Sequence, residues 1–260
     1  MSFKLKELLT LLNEEYKFDL QENWDNSGIQ FGNLDDTISG ILVVMDITNE
    51  SILFAKEKNI NCILSHHPLF FEKIKNITVD SPNYKKLKLL FDNNINVISV
   101  HTPLDLNFNG ISKGLSNLCN IENESFFISV KDNYGYGIVG NVSSLKMTEF
   151  LNCLHKHFSK IIYYGDGNKI INKVAVLGGS GAFGIEEALL QGCDLYISSD
   201  FKYHDVQKAI ENGLNLIDLG HYESEFVGLN NFKIYLEKYL IDHNLKILIY
   251  DNNIFKANIF

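Results

Sequence analysis

Segments with the pattern of buried strands alternate with segments patterned as helices along most of this 260-residue chain. Short apolar runs predict the strands, and apolar residues spaced three and four apart between them predict the helices. In the first half the predicted strands are Gly40–Asp46, Asn61–Ser65 and Ile95–His101, and the predicted helices are Thr48–Lys58 and Pro82–Asp92. The alternation returns between residues 173 and 250. It is typical of an α/β protein with mostly parallel sheets, because helices usually connect neighbouring parallel strands.

The two halves of the chain resemble each other. The segment Asn61–His67 aligns with Asp194–Asp200, and Asn96–His101 aligns with Asn215–His221 with one residue of slack. In each half, the histidine that ends the second aligned segment is followed four residues later by a carboxylate, Asp105 after His101 and Glu225 after His221. A duplication fits this match, and so does the physical likeness of any two strand-helix-strand units. We therefore predict two similar lobes.

Residues 121–171 interrupt the alternation and have no counterpart in the other half. We interpret them as a linking segment with short strands and a helix. The predicted domains are then an N-terminal α/β lobe over residues 1–120, this linking segment, and a C-terminal α/β lobe over residues 172–260 that completes the site.

Composition excludes several classes of protein. All 23 basic residues are lysines, against 32 acidic residues and a formal net charge of −9. Without the forked guanidinium group of arginine, direct nucleic-acid binding is not expected. No apolar run reaches the roughly 18–20 residues of a membrane span, and residues 1–10 are patterned as a helix rather than a signal peptide. The four cysteines form no Cys-x-x-Cys pair and indicate core thiols in a reducing cytoplasm.

Histidine and carboxylate residues collect where the predicted strands end. In an open parallel sheet, the loops beyond the carboxyl ends of the strands converge, so ligands bind there. A set of imidazoles and carboxylates at that edge predicts a metal site. The residues of this set are Asp46, His66, His67, His101, Asp105, Asp200, His221 and Glu225.

The adjacent pair His66 and His67 comes directly before Pro68. Proline pushes the preceding residue toward extended backbone, where neighbouring side chains point in opposite directions. The pair therefore predicts ligands of two separate ions, as in two-metal hydrolytic sites. The alternative is a surface histidine next to a helix-capping or core histidine.

Two further histidines each precede a carboxylate by four residues. His221 and Glu225 share a face if a helix begins by residue 222, and Glu225 then ties two cations together. A solvated helix turn is the alternative. Between His101 and Asp105, Pro103 excludes a regular helix, so we expect Asp105 to arrive by a loop.

A glycine-rich segment, Gly179–Gly184, follows the predicted strand Lys173–Leu177, and Asp200 lies 21 residues beyond Gly179. That spacing is the fingerprint of a dinucleotide-binding unit, in which the acid holds a ribose. It would make the protein an NAD-dependent enzyme. The alternative is a tight turn whose N–H groups bind an anion.

Six motifs follow one another between about residue 20 and residue 230: Trp24-Asp-Asn-Ser-Gly28, His66-His67-Pro68, His101-Thr-Pro-Leu-Asp105, Gly178-Gly-Ser-Gly181, Ser199-Asp-Phe-Lys-Tyr-His204 and Gly220-His-Tyr-Glu-Ser-Glu225. Together and in this order, they resemble the Nif-three-like family of dinuclear metal-centre proteins, the GTP cyclohydrolase type 2 homologues. The resemblance covers nearly the whole chain.

The resemblance implies two α/β lobes that face each other across two divalent metal ions, and ring-shaped homohexamers. It assigns the metal ligands to His66, His67, Asp105, His221 and Glu225. It also places His101 and His204 in the same site, where we expect them to carry protons. Imidazole and carboxylate ligands suit Zn, Mn, Fe, Ni or Co and do not choose among them.

The function implied by the resemblance is that of a cytoplasmic, metal-dependent hydrolase with a small-molecule substrate. With GTP as that substrate, a metal-bound hydroxide opens the imidazole ring of guanine and formate is released. Lys202 and the N–H groups after Gly179 are then expected to hold the triphosphate. The alternative is a non-catalytic metal- or nucleotide-binding protein that acts in metal or cofactor handling.

Overall fold

The computed structural model describes residues 2–251. The helices in this part of the chain are α1 Leu5–Tyr16, α2 Asn49–Glu57, α3 Tyr84–Asp92, α4 Thr102–Asp105, α5 Ile111–Cys119, α6 Met147–Leu154, α7 Ile185–Leu190, α8 Tyr203–Glu211, α9 His221–Phe226 and α10 Leu229–Tyr239. The strands are β1 Gly28–Phe31, β2 Gly40–Val44, β3 Cys62–Ser65, β4 Asn96–Ser99, β5 Glu122–Lys131, β6 Tyr134–Lys146, β7 Ile162–Tyr164, β8 Ile170–Ser180, β9 Leu195–Ser199, β10 Asn215–Asp218 and β11 Lys246–Ile249.

The chain divides into two compact units. The first combines the residues up to Leu104 with the segment from Lys233 onward, and the second is Asp105–Phe232. Each unit has one sheet, so the predicted α/β class with two lobes is confirmed. The domain boundaries expected after residues 120 and 171 stay a prediction.

The sheet of the first unit has the strand order β1-β4-β3-β2-β11. Strands β2, β3 and β4 are parallel, and every one of their residues is buried. Continuous burial of this kind is typical of parallel strands covered on both faces. Strand β1 is antiparallel to β4 at one edge, and β11 is parallel to β2 at the other. We expected β11 in the C-terminal lobe. The sequence pattern predicts this strand. It does not determine that the strand pairs with β2, which lies far away in the chain.

The sheet of the second unit has the order β5-β6-β8-β9-β10-β7. Strands β8, β9 and β10 are parallel, whereas the hairpin β5-β6 and the short strand β7 pair antiparallel on either side. The segment 121–171 therefore belongs to this sheet. Helix α6 covers it, because Phe150 and Leu154 pack in one buried cluster with Ile138 and Val174.

The two units share a local plan that supports the repeat in the sequence. In both, an antiparallel edge strand is followed by a glycine with positive φ, which lies close to the asparagine that begins the neighbouring strand of the sheet. A Cβ on Gly32 would lie 2.0 Å from Oδ1 of Asn96, and one on Gly165 would lie 2.2 Å from Oδ1 of Asn215. Each asparagine Oδ1 also accepts the N–H of the residue after the glycine. Glycine is needed at both positions because any side chain would meet the amide.

Three of the four cysteines, Cys62, Cys119 and Cys193, are buried core residues as predicted. Cys153 is exposed on α6, so the prediction is wrong there. Within residues 2–251, no helix has the length and apolar character needed to cross a membrane.

Candidate metal centre

Three imidazoles come together in the first unit. His66 and His67 follow the end of β3, and His101 follows the end of the parallel neighbour β4. Each of the three offers a ring nitrogen, and these atoms all lie within 4.8 Å of one another, which is close enough to hold one metal ion. His66 and His101 are buried, and His67 is half-buried. We call these three residues the histidine cluster.

The side chains of His66 and His67 do not point in opposite directions, so that part of the prediction is wrong. Their ring centroids lie 5.0 Å apart. The chain bends here, because the consecutive N–H groups of both residues donate to β2 and the residue after it, Val44 O at 3.0 Å and Met45 O at 2.9 Å. In extended backbone, successive N–H groups would point to opposite sides. The Ser65 hydroxyl donates to the His67 carbonyl at 2.7 Å and holds the bend.

The Nδ1 atoms of the cluster face oxygen atoms. His66 Nδ1 lies 3.1 Å from the Val100 carbonyl, which can only accept, so His66 carries its proton on Nδ1. His67 Nδ1 lies 2.9 Å from Oδ1 of Asp46. Protons on Nδ1 leave the Nε2 lone pairs for a metal ion. An oxygen acceptor behind each imidazole is the arrangement typical of metal-binding histidines.

Asp25 holds His101 in the same way, with Oδ1 at 2.9 Å from Nδ1. The Asp25 side chain has no solvent exposure, and its Oδ2 accepts from the Thr102 N–H and hydroxyl and from the Ser27 hydroxyl. Burial alone raises the pKa of this carboxyl. The hydrogen bonds from His101 and Thr102 outweigh burial and, with the His101 charge, hold the pKa well below its ordinary value. Asp25 is therefore an anion that orients His101.

A second set of candidate ligands lies in the second unit. Helix α9 begins at His221, so Glu225 lies one turn further on the same face, as the sequence predicts. His221 Nε2 lies 3.3 Å from Oε2 of the buried Glu225, and Nδ1 lies 2.7 Å from Oδ2 of Asp200. The hydrogen bond to Glu225 is the largest effect and raises the pKa of His221. Burial opposes it, the charges of both carboxylates add to it, and the result is about 9.

Gly179 makes room for Glu225, which corrects the dinucleotide interpretation of this loop. A Cβ on Gly179, where φ is +74°, would lie 2.2 Å from Oε1 of Glu225. Three N–H groups at this loop are already used within the protein: Gly178 donates to Ser112 Oγ, Gly179 to Ser224 Oγ, and Gly181 to the Ser199 carbonyl. These N–H groups do not cradle a pyrophosphate. Asp200, the expected ribose ligand, binds His221 instead.

Asp105 and His204 occupy different kinds of position. Asp105 ends the short helix α4, so the expectation of a loop is wrong: Pro103 lies in the first turn, where proline is tolerated. His204 lies exposed near the start of α8, with Nδ1 3.3 Å from Oε1 of Gln207. Within the described residues, neither joins a group of three whose ligand atoms all lie within 4.8 Å of one another.

The fold and these groups define an α/β protein with candidate sites for divalent metal ions at the carboxyl ends of its strands. Comparison with known proteins identifies the family of this chain. The model of the Duf34/NIF3 (NGG1p interacting factor 3) family matches residues 3–254. The chain belongs to this family, and the predicted resemblance is confirmed.

Individual relatives match over similar lengths. A GTP cyclohydrolase 1 type 2 homolog of Clostridium acetobutylicum is 32% identical over 262 residues, which cover 98% of each chain. The GTP cyclohydrolase 1 type 2 of Helicobacter pylori is 33% identical over 237 residues, covering 85% of this chain and 86% of the relative. The crystal structure of Staphylococcus aureus hypothetical protein SA1388 superposes over 100% of both chains with a TM-score of 0.91 at 27% identity.

Proposed function

We propose that this protein is a cytoplasmic, metal-dependent hydrolase of the GTP cyclohydrolase type 2 kind. Its two divalent ions are held by His66, His67, Asp105, His221 and Glu225. The oxygen acceptors behind the imidazoles carry the proposal, because a buried imidazole fixed in this way presents Nε2 to a cation. A homohexamer, which the family resemblance implies, is part of the same proposal.

The donor set fits such ions. Neutral imidazole and carboxylate ligands without thiolate suit Zn, Mn, Fe, Ni or Co. In the second unit, His221 Nε2 and Glu225 Oε2 lie 3.3 Å apart, and both atoms would hold a cation. A divalent ion held by these residues would lower the pKa of a bound water and polarise the electrophile.

The chain's own residues bind the substrate and move protons. His101, oriented by Asp25, can take up or release a proton at Nε2 while Nδ1 stays with the carboxylate. The exposed His204 offers a second proton carrier from α8. The GTP-directed names of the relatives support a nucleotide substrate. Because the N–H groups of Gly178, Gly179 and Gly181 are already used within the protein, Lys202 remains the proposed phosphate contact in that region.

A second candidate function is non-catalytic metal or nucleotide binding in metal or cofactor handling. The exposed position of His204, outside the groups of candidate ligands, favours it.

Release of formate from GTP distinguishes the two functions. Chelator-treated protein is reloaded with Mn²⁺, Zn²⁺ or Fe²⁺ and assayed with GTP. The hydrolase predicts stoichiometric formate and a ring-opened product, and Glu225→Ala abolishes both. Glu223→Gln on the same helix is the control, because residues two apart point to different sides of a helix. Metal-loaded protein that releases no formate supports the non-catalytic function.

A further inference from the structure

Two large aromatic side chains lie exposed next to the histidine cluster. Trp24 is 60% and Phe71 is 52% exposed. The ring centroid of each lies 5.5 Å from that of His101, with interplanar angles of 71° and 84°. Both rings are thus nearly perpendicular to the imidazole and do not stack on it. Two exposed rings of this size at one site leave apolar surface that a ligand can cover.

Hydrogen bonds fix the loops that present the two rings. The Asn26 side chain donates to the Phe70 carbonyl at 2.8 Å, which ties the Trp24 loop to the residue before Phe71. Gln30 in turn donates to the Asn26 carbonyl at 2.6 Å. The pair is therefore organised before any ligand arrives, which lowers the entropic cost of binding.

We propose that Trp24 and Phe71 form a stacking subsite for a planar heteroaromatic ring, with a nucleobase as the ligand class. Aromatic faces bind every base through its π-face, and the imidazole of His101, the proposed proton carrier, offers a polar contact to a ring atom. The inference deepens the proposed function, and its catalytic meaning rests on that function.

The three residues Trp24-Asp25-Asn26 then have separate roles. Trp24 contacts the ring, Asp25 orients His101, and Asn26 joins the two loops. The subsite determines which rings bind. The metal-binding residues determine which metal ion binds.

The chain contains one tryptophan, so its fluorescence reports on this subsite directly. The emission of the full-length protein is titrated with guanosine, adenosine, cytidine and ribose 5-phosphate, before and after reloading with Mn²⁺ or Zn²⁺. N-acetyltryptophanamide controls for absorption of the exciting light. We expect saturable quenching by the nucleosides, stronger for the purines, and none by ribose 5-phosphate.

Substitutions show which side chains contribute to nucleoside binding. Phe71→Ala is expected to weaken guanosine binding about tenfold or more. Phe91→Ala is the matched control, because Phe91 is 75% exposed on α3 of the same unit, and it should bind guanosine as the wild type does. Trp24→Ala is followed by calorimetry and should lose affinity like Phe71→Ala.

Two results of these binding experiments would overturn the subsite. One is quenching that fails to saturate or that Phe71→Ala leaves unchanged. The other is a change of sedimentation coefficient in Trp24→Ala and Phe71→Ala without loss of nucleoside affinity, which would assign the rings to an interface between copies of this chain. Nucleoside binding needs no turnover. Formate release that Phe71→Ala leaves intact would therefore refute the subsite alone, and nucleoside binding without formate release would refute the hydrolase alone.

Discussion

Asp25 Oδ1 lies 2.9 Å from Nδ1 of His101, with no solvent exposure of the Asp25 side chain. Asp25 is not among the candidate metal ligands. Its carboxylate nevertheless determines the position of an imidazole in the histidine cluster. The same relationship recurs between Asp46 and His67 and between Asp200 and His221. Orientation by outer carboxylates is thus shared by the candidate ligands of both units.

Replacing Asp25 with asparagine should slow formate release from GTP by about 100-fold, because the charge that orients the proposed proton carrier His101 is lost while the side-chain size is kept. The measurement is formate release by metal-loaded protein, with the metal content determined alongside. Asp19→Asn is the control, since Asp19 is exposed. Circular dichroism confirms that both variants fold. Formate release by Asp25→Asn at the wild-type rate would contradict the orienting role.

Gly179→Ala should lower metal occupancy, because its Cβ would lie 2.2 Å from Oε1 of Glu225 and must displace that carboxylate. Gly192→Ala is a matched control. Gly192 also has positive φ, +66°, but nothing lies within 4 Å of the added Cβ. Both variants should lose about 1 kcal/mol of stability from the left-handed backbone, and elemental analysis should show metal loss in Gly179→Ala alone.

The metal-free protein should contain a histidine that titrates near pH 9, which is His221 beside Glu225 and Asp200. Glu225→Gln should move that pKa toward the ordinary value of about 6.5, because a neutral amide stabilises the imidazolium less than a carboxylate does. NMR titration of the imidazole C–H signals measures both values. A wild-type pKa near 6.5 would refute the ion pair.

The raised pKa also sets the sign of a stability effect. The imidazolium contacts stabilise the metal-free fold fully below pH 6.5, and this contribution is lost as the pH rises toward 9. The difference in unfolding free energy between wild type and Glu225→Gln should therefore shrink over that range. Denaturant unfolding at several pH values measures it.

Native protein should contain one fast-reacting thiol, Cys153. Burial raises the pKa of Cys62 and of Cys119 to about 12, and that of Cys193 to about 11. Thiolate is the nucleophile, so at pH 8 these buried residues should react slowly with an aromatic disulfide reagent. Cys153→Ser should remove the fast phase, and urea should release three thiols in that variant. A second fast thiol in native protein would contradict the burial pattern.

The histidine cluster could be predicted from the sequence because it depends only on two neighbouring parallel strands. The parallel strands β3 and β4 are buried over their whole length, and their carboxyl ends meet at one edge, so His66, His67 and His101 are brought together. The helical spacing of His221 and Glu225 was predictable for the same reason.

Other features depend on contacts between distant segments, which a single sequence does not encode. The bend that brings His66 and His67 to one side depends on hydrogen bonds to Val44 and Met45. The role of Gly179 depends on Glu225, 46 positions later in the chain. The glycine spacing alone fits a phosphate-binding loop equally well. Only the position of the Glu225 carboxylate shows that the glycine makes room for a side chain instead.

The number of metal ions per chain tests the central claim most directly. Chelator-treated protein is reloaded with Mn²⁺, Zn²⁺ or Fe²⁺, freed of excess ion, and measured by elemental analysis together with His67→Gln, Glu225→Gln and the control Glu223→Gln. We predict about two ions per chain in the wild type and the control, and a clear loss in the other two variants. Wild-type protein that retains no ion from any of these solutions would contradict the account.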